Sequence, residues 1–520
     1  MDIDQTQQFT FTRLAALTLF ASLASGCNDG SDSPTLDEQL SQLITQNQLT
    51  GDPSSGRQLP GITDPKAQLG MKLFFSKSLG GNQDVACVSC HHPALGGGDD
   101  LALPIGISAD QPALLGPGRS REGGNPHPNV PRNAPTTFNI ALWDQVLFHD
   151  GRVESLGKTP SMNGADGQGI RTPDSSFGQA DPLAGANLSA AQARFPVTSK
   201  PEMRGHVYAV GESNAELRNR LEARLRNEGA SAGEINTDPD GDSINNWVNL
   251  FETVYPSTTP ATEIITFDRI AEAIATYEQS QVFVNNAWKR YVQGDRQALT
   301  ESQKSGAILF YRTATEGGAG CVACHSGDFF SDEGFHTLAI PQLGEGKGDG
   351  ATGTDDFGRM RETGLQKDQY AFRTPSLLNV EHTGPFGHSG AYENLLDVIK
   401  HHTAPAEAIN TYFSTGECLR LSQLNVGETC ENLSEGNAEL NTRAALAKLE
   451  ADQASGQSRL VTVALTDQQL GDLVAFLEAL TDPCIEDMDC LGQWIDDANE
   501  EVDGNRIRAI DASGNPLIAN

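Results

Sequence analysis

Residues 87–91 read Cys-Val-Ser-Cys-His, and residues 321–325 repeat the pattern as Cys-Val-Ala-Cys-His. Two cysteines three positions apart can each form a thioether with one vinyl group of a haem, and the histidine that follows places an imidazole under the iron. The two copies therefore predict two covalently bound c-type haems. The predicted attachment residues and axial ligands are Cys87, Cys90, His91, Cys321, Cys324 and His325.

Two other kinds of site use the same cysteine spacing. A zinc ribbon brings its two Cys-x-x-Cys knuckles within about 15–20 residues of each other, whereas these two motifs are far apart in the chain. A redox dithiol has no need of a histidine directly after its second cysteine. A four-thiolate zinc site and a pair of redox dithiols are therefore the alternatives, and c-type haem is favoured.

The N-terminus is typical of an export signal. A mostly apolar stretch from Leu14 to Ala24 follows a weakly basic start, and it is too short to span a bilayer as a stable helix. Ala24-Ser25-Gly26-Cys27 is similar to a lipobox, in which Cys27 becomes the lipidated first residue, and ordinary signal cleavage nearby is the alternative. Residues 1–27 thus predict a lipoprotein signal peptide and a periplasmic or cell-envelope protein that contacts the membrane only through its lipid anchor.

Composition adds constraints on partners and on the tail. The net charge of -33 argues against a nucleic-acid ligand, whose phosphates would repel it. It favours a basic partner or a salt-adapted surface. Residues 28–55 are rich in Ser, Asp, Gly and Gln and predict a flexible tether. In an oxidising compartment, Cys418 with Cys430 and Cys484 with Cys490 predict two small disulfide loops.

An internal repeat surrounds the two motifs. Gly70, Leu73, Phe74 and Phe75 precede the first motif as Gly306, Leu309, Phe310 and Tyr311 precede the second. Residues 132–139, which lead to His149-Asp150-Gly151, match residues 373–379, which lead to His388-Ser389-Gly390. A repeat this long predicts two homologous domains, each holding a haem between a helix and a return segment.

The predicted fold is mainly α, with two cytochrome c-like haem domains related by duplication and connected by many loops. The boundaries are residues 56–295 for the first domain, 296–482 for the second and 483–520 for a tail with a disulfide. Helical spacing between Thr262 and Gln279, and after the capping box of Thr466 and Gln469, predicts one helix that closes each domain. Residues 160–200 are rich in Gly, Pro and Ala and predict a long insertion in the first domain.

Together with the two motifs, three further segments resemble the bacterial di-haem cytochrome c peroxidases and the related MauG proteins. They are Arg-Asn-x-Pro-Thr at residues 132–136, Phe-His-Asp-Gly-Arg at 148–152 and Thr-Pro-Ser-Leu at 374–377. The resemblance extends from about Asp64 to Asp482. It implies a peroxide site at the N-terminal haem, an electron relay at the C-terminal haem, and frequent dimers.

Three functions follow from the resemblance and from the motifs. The first is reduction of hydrogen peroxide to water with electrons from a small donor protein, a cytochrome c or a cupredoxin. The second is MauG-like oxidation of side chains of a partner protein. The third is non-catalytic, a lipid-anchored di-haem electron carrier with two closed haems.

The resemblance also implies a sixth ligand for the relay haem. The family has Met or Tyr at this position, and here the position falls on His402, with the neighbouring His401 as the alternative. Because Met raises the haem potential relative to other ligands, His402 is expected to lower it. The segment from Leu103 to Ile107 contains no distal histidine. An always-open first haem is therefore expected, with His127 as the alternative blocking ligand.

The remaining implied residues concern proton transfer, electron transfer and calcium. Glu202 matches the family's catalytic glutamate, which moves a proton between the peroxide oxygens, although it could simply be an exposed glutamate at a helix start. The family's nearby glutamine falls at Thr159, and its tryptophan between the haems falls at His149. The family's calcium ligands fall at Asn133, Thr383 and Pro385. The alternative is that Asn133 only caps the turn formed by the Arg-Asn-x-Pro segment at residues 132–135.

Overall fold

Two pairs of helices, one beside each Cys-x-x-Cys-His motif, organise the fold. The computed structural model describes residues 33–121, 123, 127–157, 159–165, 167–242, 244–255, 264–423, 437–496 and 501–517. Within this part the chain is mainly helical with little sheet, which confirms the predicted fold class at that level. Residues from Leu36 onward form one compact unit. The predicted signal peptide, including Cys27, lies outside the described residues.

The helices vary widely in length. In chain order they are α1 (Leu36–Gln46), α2 (Pro65–Phe75), α3 (Leu188–Gln192), α4 (Asn214–Arg226), α5 (Asn246–Val254), α6 (Phe267–Ser280), α7 (Ala287–Val292), α8 (Glu301–Tyr311), α9 (Met360–Thr363), α10 (Leu395–Thr403), α11 (Pro405–Thr415), α12 (Ala438–Ala454), α13 (Asp467–Glu478) and α14 (Met488–Leu491). Both motifs begin as short 3₁₀ turns, Cys87–Ser89 and Cys321–Ala323.

The strands are short and form two antiparallel sheets. The first sheet has the order β1 (Val146–Leu147), β2 (Val153–Ser155) and β3 (Ile170–Arg171), and the second pairs β4 (Phe335–Thr337) with β5 (Ala371–Arg373). The return segments are residues 132–151 and 373–390. Strand β1 lies within the first of them, and β5 ends at Arg373, the start of the second. Each sheet therefore pairs part of one return segment with a neighbouring strand.

The two main helix pairs meet at glycines. Helix α2 packs against α6, and α8 packs against α13. A Cβ added at Gly70 would overlap the carbonyl oxygen of Ala273, and one added at Gly306 would overlap that of Asp472. Glycine is therefore what allows each pair of backbones to approach closely. The closing helices expected from the sequence correspond to α6 and α13.

Residues 36–49 differ from the flexible tether expected for residues 28–55. Leu40 of α1 is fully buried, and Leu49 is also buried, in the core that contains α8 and α13. Asp37 accepts a hydrogen bond from the Tyr291 hydroxyl at 2.6 Å. The apolar face of α1 therefore packs on the protein, because burying its leucines stabilises the helix more than its polar residues favour a solvated chain.

The described residues of the segment 160–200, which was expected as a long insertion, pack against both halves. Leu188 of α3 is fully buried and belongs to a core cluster with the first sheet. The side chain of Arg171 donates to the Gly151 carbonyl at 2.7 Å and to Glu362 of α9 at 2.7 Å. This segment therefore connects the first return segment to the second half of the chain.

The tail beyond residue 482 returns to the first half. Cys484 and Cys490 form the expected disulfide, with their Cα atoms 5.2 Å apart. Asp503 is buried and accepts a hydrogen bond from the Trp247 indole at 2.7 Å. Cys418 is also disulfide-bonded, and its expected partner Cys430 lies outside the described residues. In the part of the chain that the structure describes, no helix has the length and apolar character needed to cross a membrane.

Candidate active site

The first motif presents a histidine whose tautomer is fixed. Cys87 and Cys90 carry free, partly buried thiols. The Nδ1 of His91 lies 3.2 Å from the Gly97 carbonyl oxygen, and a carbonyl can only accept, so Nδ1 carries the proton. Burial lowers the pKa of His91. The imidazole is therefore neutral, and its Nε2 carries no proton. This is the state that binds a metal.

The second motif repeats this arrangement. Cys321 and Cys324 are free and partly buried, and the Nδ1 of His325 donates to the Phe330 carbonyl at 3.0 Å. Burial, helped by the nearby His402, lowers the pKa of His325 to about 4. A c-type haem needs two thiols that form thioethers with its vinyl groups and one neutral, oriented imidazole that binds its iron. The residues at both motifs therefore fit the predicted cofactor.

The two alternatives to haem fit less well. Within the described ranges, no cluster of three or more His, Cys, Asp or Glu ligand atoms combines the two motifs, as a four-thiolate zinc site would require. Desolvation raises the pKa of Cys87 and of Cys321 to about 12. A redox dithiol needs the opposite, a thiolate of lowered pKa.

The structure separates the roles of His401 and His402. His401 is fully buried, and its two ring nitrogens are already occupied, by the Tyr392 hydroxyl and by the Leu338 carbonyl, both at 2.8 Å. His402 donates from Nδ1 to the Val398 carbonyl at 2.7 Å and lies close enough to lower the pKa of His325. Of the two, His402 has a ring nitrogen, Nε2, that would be available to ligate the metal held by His325.

Glu202 lies beside the first motif. It belongs to a π-helical turn, Lys200–Arg204, whose backbone packs so closely on Gly106 that a Cβ there would overlap the Pro201 carbonyl oxygen. Its negative charge contributes to raising the pKa of the Cys90 thiol. Glu202 is therefore held on the same side as the segment from Leu103 to Ile107. His127 and Thr159 lie in the described part of the chain, and their roles near the first motif stay predictions.

A buried charge network joins the two halves next to these sites. Arg132 donates to both oxygens of Asp356, at 2.7 and 2.8 Å, and to Asp150 at 2.5 Å. Burial alone would raise the pKa of Asp356, but the Arg132 charge outweighs burial and lowers it to about 2. Arg132 and Asp150 belong to the first return segment and Asp356 to the second half, so the network crosses the boundary between them.

His149, the residue at the family's tryptophan position, lies in the same region. Its Nε2 donates to the Asn133 carbonyl at 3.0 Å, and its own carbonyl accepts from the Arg373 backbone at 2.8 Å. Burial, together with the charges of Arg132 and Arg373, lowers the pKa of His149 to about 3. His149 is therefore a neutral imidazole that connects the two return segments.

The predicted calcium ligands lie where the two return segments meet. The side-chain amide of Asn133 donates to the carbonyls of Leu101 and Ala102 at 3.0 and 3.2 Å, and its backbone N–H donates to His388. Thr383 and Pro385 follow His382, whose carbonyl contacts Gly96 so closely that a Cβ at Gly96 would overlap it. The amide of Asn133 thus binds the backbone of residues 101–102 instead of capping its own turn, and calcium stays a prediction.

Comparison with known proteins supports the same family. Residues 64–297 match the family described as di-haem cytochrome c peroxidase. The cytochrome c551 peroxidase of Pseudomonas aeruginosa is 26% identical over 338 residues, which is 65% of this chain and 71% of that protein. The methylamine utilization protein MauG of Methylorubrum extorquens is 27% identical over 349 residues, 66% of this chain and 70% of that protein.

The chain is therefore similar to the di-haem cytochrome c peroxidases and to MauG, as its motifs indicated. The crystal structure of a MauG-like protein associated with microbial copper homeostasis shares the fold, with a TM-score of 0.51 at 21% identity, over 84% of this chain and 97% of that one. The comparisons show an oxidoreductase, and the di-haem description of the matched family implies two haems.

Two features of the site have no signal in the sequence. The pairing of Arg132 with Asp356 joins residues more than two hundred positions apart, and no local pattern marks it. The stacking of Arg373 on Trp143 likewise joins residues that are far apart in the chain.

Proposed function

We propose that this protein is a peroxidase that reduces hydrogen peroxide to water at the first haem and draws electrons through the second. The observation that carries the proposal is the difference between the two motifs. Glu202 is one of the charged groups that act on Cys90 of the first motif, with Asp99 and Arg119, whereas the imidazole of His402 acts on His325 of the second. One site thus has a group able to move protons, and the other has a second nitrogen ligand.

Each haem, when bound, supplies an iron that changes oxidation state, and the chain controls protons and ligands around it. His91 and His325 would hold the two irons through Nε2, because a backbone carbonyl already occupies each Nδ1. Reduction of peroxide to water consumes two protons and two electrons. Glu202 would take a proton from the peroxide oxygen near the metal and deliver it to the far oxygen, so that water leaves.

The donor and the origin of the two halves belong to the proposal. A small cytochrome c or cupredoxin with a basic face would suit the net charge of -33. Duplication of one haem domain is supported by the matching glycine contacts of the two main helix pairs and by the matching histidine tautomers. The domains would be residues 56–295 and 296–482, with residues 160–200 as an insertion in the first.

Location, calcium binding and dimerisation are further parts of the proposal. Lipidation at Cys27 would place the enzyme at the periplasmic face of a membrane, and mass spectrometry of the mature N-terminus tests this directly. Calcium bound by Asn133 and by the carbonyls of Thr383 and Pro385 would use the oxygen ligands that a hard cation prefers. A homodimer is testable by sedimentation with and without added calcium.

Replacement of Glu202 with Gln tests the proton-transfer role. The variant keeps the size of the side chain but removes the carboxylate, so peroxide turnover is expected to fall by about 10²-fold or more while both haems stay attached. Glu301→Gln is the matched control, because Glu301 is exposed at the start of α8. Turnover of Glu202→Gln within a factor of about two of that control removes Glu202 from the mechanism.

A further inference from the structure

Arg373 is a buried cation with unused hydrogen-bond donors. The residue is only 8% exposed, yet its Nε and Nη1 have no hydrogen-bond partner among the residues that the structure describes. Burying unpaired donors of a charged group costs several kcal/mol. Such a side chain is stable when an anion of matching shape occupies the space that its donors face.

A second buried arginine shows what a satisfied guanidinium looks like. Arg132, at the start of the first return segment, pairs with Asp356 through two parallel hydrogen bonds and with Asp150 through a third. Arg373, at the start of the second return segment, has no such carboxylate. One of these buried arginines is thus paired with protein groups, and the other keeps donors that have no partner among the described residues.

The carboxylates nearest to Arg373 are already engaged elsewhere. Glu333 accepts hydrogen bonds from the backbone N–H groups of residues 144–146. Asp150 is bound by Arg132 and by Arg152. These charges act on Arg373 through space, but neither carboxylate is bonded to it. The missing partner is therefore an anion from outside the described protein groups.

The surroundings of the guanidinium place it at the second motif's loop. Its central carbon lies 3.5 Å from the ring centroid of Trp143, and that ring packs edge-on against Phe329 at 4.9 Å. Phe329 precedes Phe330, whose carbonyl accepts from His325. Trp143 covers one face of the Arg373 guanidinium, so the N–H edge of the guanidinium is the part that can bind a ligand.

We propose that Arg373 binds a propionate carboxylate of one of the two haems. A propionate is a planar carboxylate carried on the porphyrin itself, and an arginine fork suits this shape. Another unpartnered buried donor or acceptor, the Nε2 of His388, lies in the same region, since both His388 and Arg373 act on the pKa of His149. Arg373 is then a positioning residue, which acts on an iron through the porphyrin edge.

The test is the reduction potential of each haem in the holoprotein, measured by spectroelectrochemical titration. A positive charge at a propionate favours the reduced haem, so Arg373→Gln is expected to lower the potential of one haem and leave the other unchanged. The haem that shifts identifies the source of the propionate. Arg443→Gln is the charge-matched control, since Arg443 is about half exposed and pairs with Glu439 on the surface of α12.

A second variant keeps the proposal testable if Arg373→Gln loads its haems poorly. Arg373→Lys keeps the charge but cannot form paired bonds to a carboxylate, and resonance Raman is expected to show a shifted propionate bending band in it. Two attached haems with unchanged potentials in Arg373→Gln, or an unshifted band in Arg373→Lys, would overturn the proposal. The inference rests on the haem attachment of the proposed function. The number of haems per chain in each variant shows whether the attachment itself has failed or only the contact of Arg373 with a propionate.

Discussion

At each motif histidine, a backbone carbonyl decides which nitrogen faces the metal site. Gly97 accepts from His91 and Phe330 accepts from His325, and both carbonyls lie a few residues beyond their motif. A ligand oriented in this way loses little entropy when the metal binds. The spacing of the motif predicts the ligands, but the carbonyl that orients each one depends on the loop conformation and could not be read from the pattern.

The choice between His401 and His402 leads to a prediction at the residue scale. We expect His402→Ala to convert the second haem from a six-coordinate low-spin to a five-coordinate or water-ligated high-spin state, because the variant removes the favoured sixth ligand. His401→Ala is the matched control. It removes the hydrogen bonds to Tyr392 and Leu338 and is expected to lower stability while the haem stays low-spin. Electron paramagnetic resonance of the ferric proteins distinguishes them, and the reverse pattern would assign the ligand to His401.

Other residues show what a single sequence leaves open. Glu202 and His402 were predicted from a resemblance, and the structure places each beside a different motif. The carboxylate that pairs with Arg132 and the aromatic ring on which Arg373 stacks both come from distant segments. A local sequence pattern gives the residue type at such a position. It does not give the side chains that the fold brings into contact with it.

At the scale of elements, the main helix pairs depend on their glycines. The sequence predicted α6 from periodicity and α13 from its capping box, and that box of Thr466 and Gln469 is present. Helix α8 begins with an equivalent box of Thr300 and Gln303. Helix α1 was missed. Its apolar residues recur with helical spacing, but they lie in a polar stretch directly after a predicted signal peptide, and only packing against α8 makes the helix stable.

Glycine replacements test the helix contacts. We expect Gly70→Ala and Gly306→Ala each to destabilise the fold by about 1–3 kcal/mol or more, because the new methyl group would meet a backbone carbonyl that cannot move away cheaply. Gly471→Ala in α13 is the control, since nothing lies near its Cβ position, and it is expected to stabilise by about 0.5–1 kcal/mol. Urea unfolding of the three holoproteins measures the difference, and equal effects at all three sites would contradict close helix contact.

At the scale of the whole molecule, buried polar contacts join the two halves. The Arg132 network and the Arg171–Glu362 pair cross the boundary, and the C-terminal tail packs back onto the first half through Asp503. The predicted domain boundaries therefore do not separate two independent bodies. Sequence periodicity describes each half alone, and it contains no information on how the halves pair.

Acid is expected to loosen this connection. The pKa of Asp356 is lowered in the folded protein to about 2, below that of an ordinary aspartate. Its contribution to stability is therefore fully present above about pH 4 and is lost as the pH falls through about 2. Asp356→Asn is expected to destabilise the protein at neutral pH by up to about 3–5 kcal/mol and to weaken the acid dependence.

Urea unfolding of wild type and Asp356→Asn at neutral pH and near pH 3 checks this expectation. Glu439→Gln is the control, because Glu439 forms an exposed pair with Arg443, and such pairs contribute about 1 kcal/mol or less. An acid dependence that is identical in wild type and Asp356→Asn would show that the buried pair does not connect the halves.

The central claim is that two haems with different ligands share one reaction, one open to peroxide and the other closed by two histidines. Electron paramagnetic resonance of the ferric holoprotein before and after one equivalent of peroxide, with the haem content determined on the same sample, tests this most directly. The account predicts two haems per chain. One gives a low-spin bis-histidine signal. The signal of the other changes when an exogenous ligand binds, or when peroxide is added after partial reduction. One haem per chain, or two low-spin haems that ignore peroxide in every oxidation state, would contradict it.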